Sequence, residues 1–374
     1  MRNGVFAAVL ALAVPLAAQA SPSDWEGQVR SVAGKVQAKA FGAQWHDAAP
    51  GENLLAGDRL KTGSDGAAIV ALPDGSEIKV SSGTLFEFND SRHGEDSAGS
   101  VALFLGKLWA RVQKAAGTRA CFVVSTPTAV AGVRGTELEV GVADDGATLV
   151  SVAAGAVALS AEGGEIEVKA GEHAEAGHGE KPRPPVKGAM KFEAWADLRR
   201  KALLADPRGV MRALMAKIKK EEQDLEAALE RFKVLEKETA LLVDKARLAR
   251  SGKQKDAYRE IASEVEKGFA GLKKAAAAIE TARNRLTMNA TIMRHAYKAV
   301  SANKDLPAEA RAELKSLITD LKNERVRLQK LRAEFKVEFR QKIGEVHRAY
   351  REFKEQKQVK EKVKSKRKAR KDRE

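Results

Sequence analysis

The sequence predicts an α+β protein in which the two classes of structure form separate domains. An N-terminal all-β domain, either a sandwich or a stack of short strands, precedes a long antiparallel α-helical coiled-coil bundle. Turn dipeptides separate short apolar runs in the first half, and a stretch rich in Pro and Gly follows. Apolar residues then recur at alternating three- and four-residue steps. We therefore predict a β domain over residues 24–174, a linker over 175–188 and helices over 189–360.

Turn signals divide the predicted β domain into short strands. Asp65-Gly66, Asp74-Gly75 and Gly163-Gly164 each lie between apolar runs, as expected for strands that are joined by tight turns. Residues 67–72 and 76–80 flank the Asp74 turn and predict a hairpin. Further strands are predicted at residues 101–105, 107–112, 122–124, 136–142, 148–152 and 156–159.

The helical half is predicted to contain three long antiparallel helices that form a rod. Asp206 and Pro207 predict the start of the first long helix, with Asp206 as its N-cap. Ser251-Gly252 ends or turns that helix, and residues 303–307 make a second turn. The apolar seam is interrupted by polar or small residues at Glu221, Thr239, Gly268 and Asn289.

The first twenty residues have the pattern of a secretory signal. Arg2 precedes an apolar run over residues 5–18, and Ala18-Gln19-Ala20 supplies the small-x-small pattern that signal peptidase reads. The run is shorter than the roughly 20 residues needed to span a bilayer, although an uncleaved anchor is the alternative. Position 21 is Ser, which excludes a lipid-modified Cys there. We expect cleavage near Ala20-Ser21 and localisation in the periplasm, in the cell envelope or outside the cell.

The formal net charge of +15 is distributed unequally along the chain. Residues 21–180 contain 13 Lys and Arg against 22 Asp and Glu, which gives −9, whereas residues 181–374 contain 52 against 29, which gives +23. A basic tail at residues 361–374 could contact phosphates or other anions without reading sequence, or it could be a solvated helix end. The predicted polyanion contacts are Lys364, Lys366, Arg367, Lys368, Arg370 and Lys371.

Four segments carry a resemblance to a known family. They are residues 54–63 (LLAGDRLKTG), 72–76 (LPDGS), 106–112 (GKLWARV) and 125–140 (STPTAVAGVRGTELEV). In this order they closely resemble the FecR domain, the periplasmic sensor part of a ferric citrate regulator. The transmembrane regulators of that family look like a cytoplasmic anti-sigma region, one membrane span and then this domain. Here an export signal is predicted to precede the domain directly, so the resemblance implies an extracytoplasmic binding module.

The residues that match the family motif are expected to maintain the fold, with direct ligand binding as the alternative. They are Gly57, Asp58, Thr62, Gly63, Asp74, Gly75, Gly106, Trp109, Thr126, Pro127, Gly132, Arg134, Gly135 and Thr136. Asp58 and Asp74 stand beside glycines and predict turn caps. Gly132 and Gly135 permit tight turns around Arg134, whose guanidinium is suited to clamping carbonyls or a carboxylate within the fold. Trp109 and Phe104 are predicted to fill the core.

The sequence contains none of the common catalytic motifs. A nucleophile elbow, a phosphate-binding Gly-rich loop and a zinc-binding His-Glu-x-x-His helix are all missing. Asp144-Asp145 precedes Gly146 and predicts a turn, and Cys121 is expected to be a buried small hydrophobe. No His or Cys pair has the spacing of metal ligands, so we expect no metal and no cofactor.

These observations predict an exported, non-enzymatic binding or scaffolding protein. Its β domain would engage an envelope protein or glycan, while the helical rod would space or multimerise it. The alternative is a polyanion-binding protein that holds lipopolysaccharide, an acidic polymer or anionic lipid through its basic helices and tail. A signalling role would require a further partner at the inner membrane.

Overall fold

A computed structural model describes residues 26–323 and residue 326, apart from residues 41, 90–98, 115–121, 189, 253 and 304–305. The N-terminal region is a many-stranded β structure, and long helices follow it, as predicted. The predicted export signal, Cys121 and the basic tail lie outside the described residues.

Within the described residues, the β region contains seventeen strands. The first nine are β1 Gly27–Ala33, β2 Val36–Lys39, β3 His46–Asp47, β4 Asn53–Leu54, β5 Arg59–Thr62, β6 Ala67–Ala71, β7 Glu77–Val80, β8 Leu85–Phe88 and β9 Ser100–Arg111. The remaining eight are β10 Phe122–Ser125, β11 Ala129–Val133, β12 Glu137–Val142, β13 Thr148–Ala154, β14 Ala156–Ala161, β15 Gly164–Lys169, β16 Glu172–Ala176 and β17 Val186–Lys187.

The strands form two hydrogen-bonded ladders that share β9. The first ladder has the order β4-β1-β6-β7-β9-β12-β13-β16-β17. The second ladder has the order β3-β2-β5-β8-β9-β10-β11-β14-β15, in which β9 and β10 are parallel. Residues 106–111 of β9 pair in the first ladder, and its earlier residues pair in the second. The chain therefore passes from one ladder to the other at Gly106.

Alternation along the strands builds one apolar core from both ladders. Val29 and Ile78 of the first ladder and Leu60 and Phe86 of the second are all fully buried and belong to the same cluster. Fully burying such a side chain stabilises the fold by about 1.5–3 kcal/mol. The alternating runs of the sequence thus become strands with one apolar face each.

In the part of the chain that the structure describes, three complete helices follow the strands: α1 Phe192–Ala205, α2 Pro207–Ser251 and α3 Lys255–Ser301. A further helix covers residues 308–323. Asp206 caps α2, because its carboxylate accepts a hydrogen bond from the Gly209 backbone N–H at 2.9 Å, which confirms the predicted start. α2 packs along α3 with Gly268 close to Thr239 and Gly271 close to Leu235.

The segment predicted as a linker takes part in the first ladder. Residues at its start belong to β16, and Val186 of β17 pairs with His173. The backbone N–H of Arg183 also donates to the Glu175 carbonyl at 2.9 Å. Pro182, Pro184 and Pro185 are compatible with this position because an edge strand needs fewer backbone donors. Consequently the helices lie against the β region instead of being spaced away from it.

Candidate binding face

The first motif residues form a tight turn before β5. Asp58 is buried, and its carboxylate accepts a hydrogen bond from the Leu55 backbone N–H at 2.9 Å. Gly57 adopts a φ of 89°, a left-handed conformation that favours glycine. Its N–H donates to the Phe88 carbonyl at 2.7 Å, which ties the turn to the end of β8.

Asp74 and Gly75 form the turn between β6 and β7. The Asp74 carboxylate accepts hydrogen bonds from the backbone N–H and the hydroxyl of Ser76, at 2.9 and 2.8 Å. Gly75 has a φ of 84°, and the Leu72 N–H closes the hairpin on the Ser76 carbonyl at 2.8 Å. The predicted hairpin is therefore present, and both oxygens of the Asp74 carboxylate serve the turn.

Two buried threonines line the corner at which β9 changes ladder. The hydroxyl of Thr62, next to Gly63, donates to the Ser81 carbonyl at 2.6 Å and accepts the Thr84 N–H at 2.8 Å. The Thr84 hydroxyl accepts the N–H of the residue after Gly106 at 3.0 Å. A Cβ on Gly106 would lie 2.6 Å from the Thr84 Cα, so this corner admits only glycine.

The Ser-Thr-Pro-Thr part of the long motif forms a buried hydroxyl chain. Thr126 closes the turn before β11, since its hydroxyl and its N–H both contact the backbone of Ala129. The Thr148 hydroxyl lies 2.7 Å from the hydroxyls of Thr126 and Thr128. Pro127 is buried between them. These contacts are internal to the fold.

The Gly-Val-Arg-Gly-Thr part of the motif reaches the surface. Gly135 has a φ of 60°, and the buried Thr136 hydroxyl donates to the Arg134 and Ala156 carbonyls at 3.1 and 3.0 Å. The Arg134 side chain is exposed and does not enter the core. It lies with Gly132 at a shallow groove of about 400 Å³ that Glu165 and Glu167 also line.

Of the two aromatic residues predicted in the core, Phe104 confirms the prediction of a buried side chain, whereas Trp109 does not. Phe104 is fully buried, but it packs with Ala102 against Met288 of α3. Trp109 is half-buried on the outer side of the first ladder. The reason is the register, because Leu108 and Ala110, which alternate with Trp109, point into the core.

Trp109 is the centre of a surface that we name the Trp109 face, formed by Ile69, Lys79, Trp109, Arg111 and Glu137. Lys79 pairs with Trp109 across the ladder, and its Nζ lies 4.5 Å from the centre of the indole. The Arg111 guanidinium carbon lies 5.2 Å from the centre of the same ring, and the Arg111 Nε donates a hydrogen bond to the Glu137 carboxylate. The Lys79 and Arg111 side chains are 53% and 56% exposed. The Trp109 face therefore presents a partly accessible indole together with two exposed cations.

Lys107 joins this face to the start of α1. Its Nζ lies 2.8 Å from Glu193 of α1 and 3.4 Å from Glu139 of β12. Burial alone would lower the pKa of Lys107, but the two carboxylates raise it above its ordinary value. Burial raises the pKa of Glu139, against the opposing effect of Lys107. The ion cluster therefore fixes α1 beside the Trp109 face.

Comparison with protein families identifies this arrangement of turns and strands. Residues 58–158 match the family described as FecR protein. The chain contains a FecR domain. The match includes the turn at Asp58, the Gly106 corner, the Trp109 face and the motif from Thr126 to Thr136.

Other comparisons give distant likenesses or none. The chain matches none of the curated proteins with which it was compared. Two crystal structures of a candidate anti-sigma factor from Parabacteroides distasonis ATCC 8503, at 2.50 and 1.65 Å resolution, each share 22% identity with a TM-score of 0.32. Each alignment covers 37% of this chain and 63% of the solved chain. The chain thus spans less than two thirds of the length of the solved protein that it matches.

Two further properties concern only the part of the chain that the structure describes. Within it, no helix combines the length and the apolar character needed to cross a membrane. In the same residues, no group of His, Cys, Asp and Glu side chains is arranged to hold a metal ion.

The part of the second ladder around β8 and β9 is covered by α3. Glu87 is 1% exposed. It forms ion pairs with Arg59 at 2.6 Å and with Arg283 of α3 at 3.3 Å. Asn284 of α3 donates to Asn89 at 2.9 Å. With Phe104 and Met288 beside them, these contacts occupy the surface around Glu87 with the chain's own helix.

The turn between β12 and β13 forms a second contact, which we name the acidic clasp: Asp144 and Asp145 held by Arg199, Arg200 and His295. Arg200 and His295 bond Asp144 at 2.6 and 2.9 Å, and Arg199 bonds Asp145 at 2.6 Å. Burial alone would raise the pKa of Asp144, but the bonds from His295 and Arg200 hold it below its ordinary value. The predicted turn is present, and it also binds α1 and α3 to the FecR domain.

Sequence reasoning missed both the Trp109 face and the acidic clasp. A signal for the first existed, because Lys107, Trp109 and Arg111 alternate with Leu108 and Ala110, which indicates a polar outer side. The clasp had no such signal, since Asp144 and His295 are 151 positions apart. The predicted polyanion contacts at residues 364–371 lie outside the described residues and stay predictions.

Proposed function

We propose that this chain is an exported, non-enzymatic binding and scaffolding protein of the periplasm or cell envelope. Its FecR domain engages a protein or glycan partner through the Trp109 face. The observation that supports this choice is the contrast between the two outer surfaces of the domain. The side around Glu87 is filled by α3, whereas Lys79 and Arg111 beside Trp109 remain more than half exposed.

The chemistry of the Trp109 face favours a partner with both apolar and anionic groups. The indole offers apolar surface, and the Lys79 ammonium and the Arg111 guanidinium lie over its ring as cations. The neighbouring carboxylates of Glu77, Glu137 and Glu139 are paired with Lys79, Arg111 and Lys107 in exposed or partly exposed contacts. A protein surface with acidic residues, or a glycan that stacks on the ring, meets these requirements.

The helices support this function as a rigid extension of the domain. We infer that α2 and α3 form an antiparallel coiled-coil hairpin, because Leu235 meets Gly271 whereas Thr239 meets Gly268. The acidic clasp and the Glu87 contacts fix the base of that hairpin on the FecR domain. A partner held on the Trp109 face would therefore take a defined position relative to the rod.

Affinity capture from envelope extracts tests the proposal. The wild-type protein is expected to recover a reproducible partner, and Trp109→Ala to lose about nine tenths of it or more, because hot-spot Trp residues dominate such contacts. Trp45→Ala is the matched control, since Trp45 is also half-buried and contacts Lys39 and Lys61. Recovery of the same partner by the Trp109 variant, or by the helical half alone, would refute this assignment.

The charge of the helical half supports a second candidate function, binding to a polyanion. The net +23 of residues 181–374 favours an acidic polymer, lipopolysaccharide or anionic lipid. Retention on heparin that falls with salt and disappears on removal of residues 354–374 would support it. Retention that is indifferent to this truncation would contradict it.

A further inference from the structure

A stripe of exposed apolar side chains lies on the outer side of α2, and we name it the α2 stripe: Val234, Leu241 and Leu248. These side chains are 53%, 63% and 71% exposed, and each follows the previous one by seven positions. Each lies two residues after a buried seam residue, namely Phe232, Thr239 or Ala246. Two residues correspond to a rotation of about 200° around an α-helix, so the stripe points away from the seam with α3.

Four charged residues flank the centre of the α2 stripe. Lys237 and Glu238 precede Leu241, and Asp244 and Lys245 follow it. All four are exposed. Lys237, Glu238 and Lys245 form no ion pair with another residue of the described part of the chain, and Asp244 contacts Arg247 in an exposed pair at 3.2 Å. These charges are therefore available to a partner.

These charges are complementary to those of a second copy of α2 that runs in the opposite direction. If two copies of α2 cross antiparallel with Leu241 on the axis, Glu238 meets Lys245 of the second copy, and Lys237 meets Asp244 of the second copy. A two-fold axis repeats each pair, so four attractive contacts surround one apolar centre. Val234 of each copy then lies opposite Leu248 of the other.

We propose that α2 pairs with α2 of a second copy of this chain, antiparallel and centred on Leu241. The contact buries an exposed stripe that repeats every seven residues, as the seam of a coiled coil does. Because only three apolar residues per copy meet, the dimer is expected to be reversible and concentration-dependent. The proposal goes beyond the proposed function and does not depend on the partner of the Trp109 face.

The dimer would present two FecR domains at opposite ends of one rod. Lys217 of α2 bonds Glu162 of the FecR domain, and it lies 24 positions before Leu241. At 1.5 Å per residue the two Lys217 positions would be about 70 Å apart. Two Trp109 faces at this separation could bind two sites of one partner that has repeated binding sites. Such bivalent binding raises the avidity without any new contact.

Sedimentation velocity of the full chain over a concentration series tests the pairing. The wild-type protein is expected to shift from monomer to dimer, and Leu241→Glu to raise the dimer dissociation constant about tenfold or more, because two carboxylates would meet at the axis. Leu198→Glu is the control, since Leu198 of α1 is 60% exposed but lies outside the stripe. Absence of a dimer over the series, or equal weakening by both variants, would overturn the proposal.

A charge-exchange pair of variants tests the antiparallel register. Glu238→Lys is expected to weaken the dimer, because it places two lysines together, and the double variant E238K/K245E to restore it. Failure of the double variant to restore the dimer would overturn the antiparallel arrangement. A photo-crosslinking amino acid at position 241 is expected to yield a peptide joined to α2 of another copy. Crosslinks to residues 327–374 of the same chain would overturn the pairing, because the chain itself would then cover the stripe.

Discussion

Individual residues of the FecR motif act through backbone geometry more than through chemistry. Gly106 shows this most clearly, because two restraints act at one corner: its φ of 86°, and the 2.6 Å that would separate an added methyl carbon from the Thr84 Cα. Asp58 and Asp74 likewise direct their carboxylates to backbone and hydroxyl donors inside their own turns. The motif residues therefore explain the fold of the domain better than the identity of its ligand.

Substitution of Gly106 by Ala is expected to lower the free energy of unfolding by about 2–4 kcal/mol. Part of this loss of stability comes from the strain of placing Ala at a positive φ, and part comes from the displacement of Thr84 by the added methyl group. Gly51→Ala separates the two, since Gly51 has a φ of 88° but nothing within 4 Å of an added Cβ, and it should lose only about 1 kcal/mol. Urea unfolding of both variants measures the difference, and equal losses would disprove the steric part.

Removal of the Glu87 charge is expected to destabilise the protein more than removal of an exposed carboxylate. Glu87→Gln leaves Arg59 and Arg283 without their shared anion, and their side chains are only 26% and 16% exposed. We expect a loss of about 2–3 kcal/mol. Asp244→Asn is the control, because the exposed Asp244–Arg247 pair contributes less than about 0.5 kcal/mol. A Glu87 variant as stable as the control would show that the cluster adds no stability.

At the scale of elements, the segment between β16 and α1 determines how the helices meet the FecR domain. His178 is half-buried there, and its Nε2 donates to the carbonyl of Asp145, a residue of the acidic clasp, at 2.8 Å. Its Nδ1 is buried without a hydrogen-bond partner among the described residues. A second proton on this ring would therefore introduce an unsatisfied buried cation near Lys217 and Arg199.

This environment predicts a stability that depends on pH. Burial lowers the pKa of His178 below its ordinary value of 6.5. The unfolded chain thus binds the proton more readily than the folded chain. The contribution of neutral His178 to the free energy of unfolding is therefore complete above about pH 6.5, and it is lost as the pH falls towards the pKa of the folded state. Urea unfolding at several pH values should show a smaller acid-induced loss in His178→Gln than in wild type. His46→Gln, at a side chain 52% exposed, should follow the wild type; equal slopes for all three proteins would contradict the prediction.

Among the elements, the strands were far more predictable from sequence than their contacts with the helices. The turn at Asp74-Gly75 and the alternation in β9 indicate strands locally, because each signal lies within a few residues. The Arg283–Glu87 contact joins residues 196 positions apart, and neither residue differs locally from an ordinary surface charge. The linker prediction depended on its prolines, which indicate a break in helix or central strand but do not exclude an edge strand.

At the scale of the whole molecule, the acidic FecR half and the basic helical half attract each other. Asp144, Asp145, Glu87 and Glu162 of the first half meet Arg, Lys or His side chains of the second. The charge asymmetry visible in the sequence therefore has an internal use in addition to any external polyanion. The net charge of +23 alone therefore overstates the case for a polyanionic partner, because part of that charge is already neutralised by acidic residues of the same chain.

The proposed location of the molecule outside the cytoplasm depends on processing at its N-terminus. If Ala18-Gln19-Ala20 is read by signal peptidase, intact-mass measurement of protein recovered from the periplasmic fraction should show a chain that begins at Ser21. Ala18→Lys should prevent cleavage and leave the longer chain in the membrane fraction, because a small residue is needed at that position. Ala13→Val, within the apolar run, is the control and should be processed normally. Full-length protein with an intact first segment in the cytosol would exclude export, and with it an envelope partner for the Trp109 face.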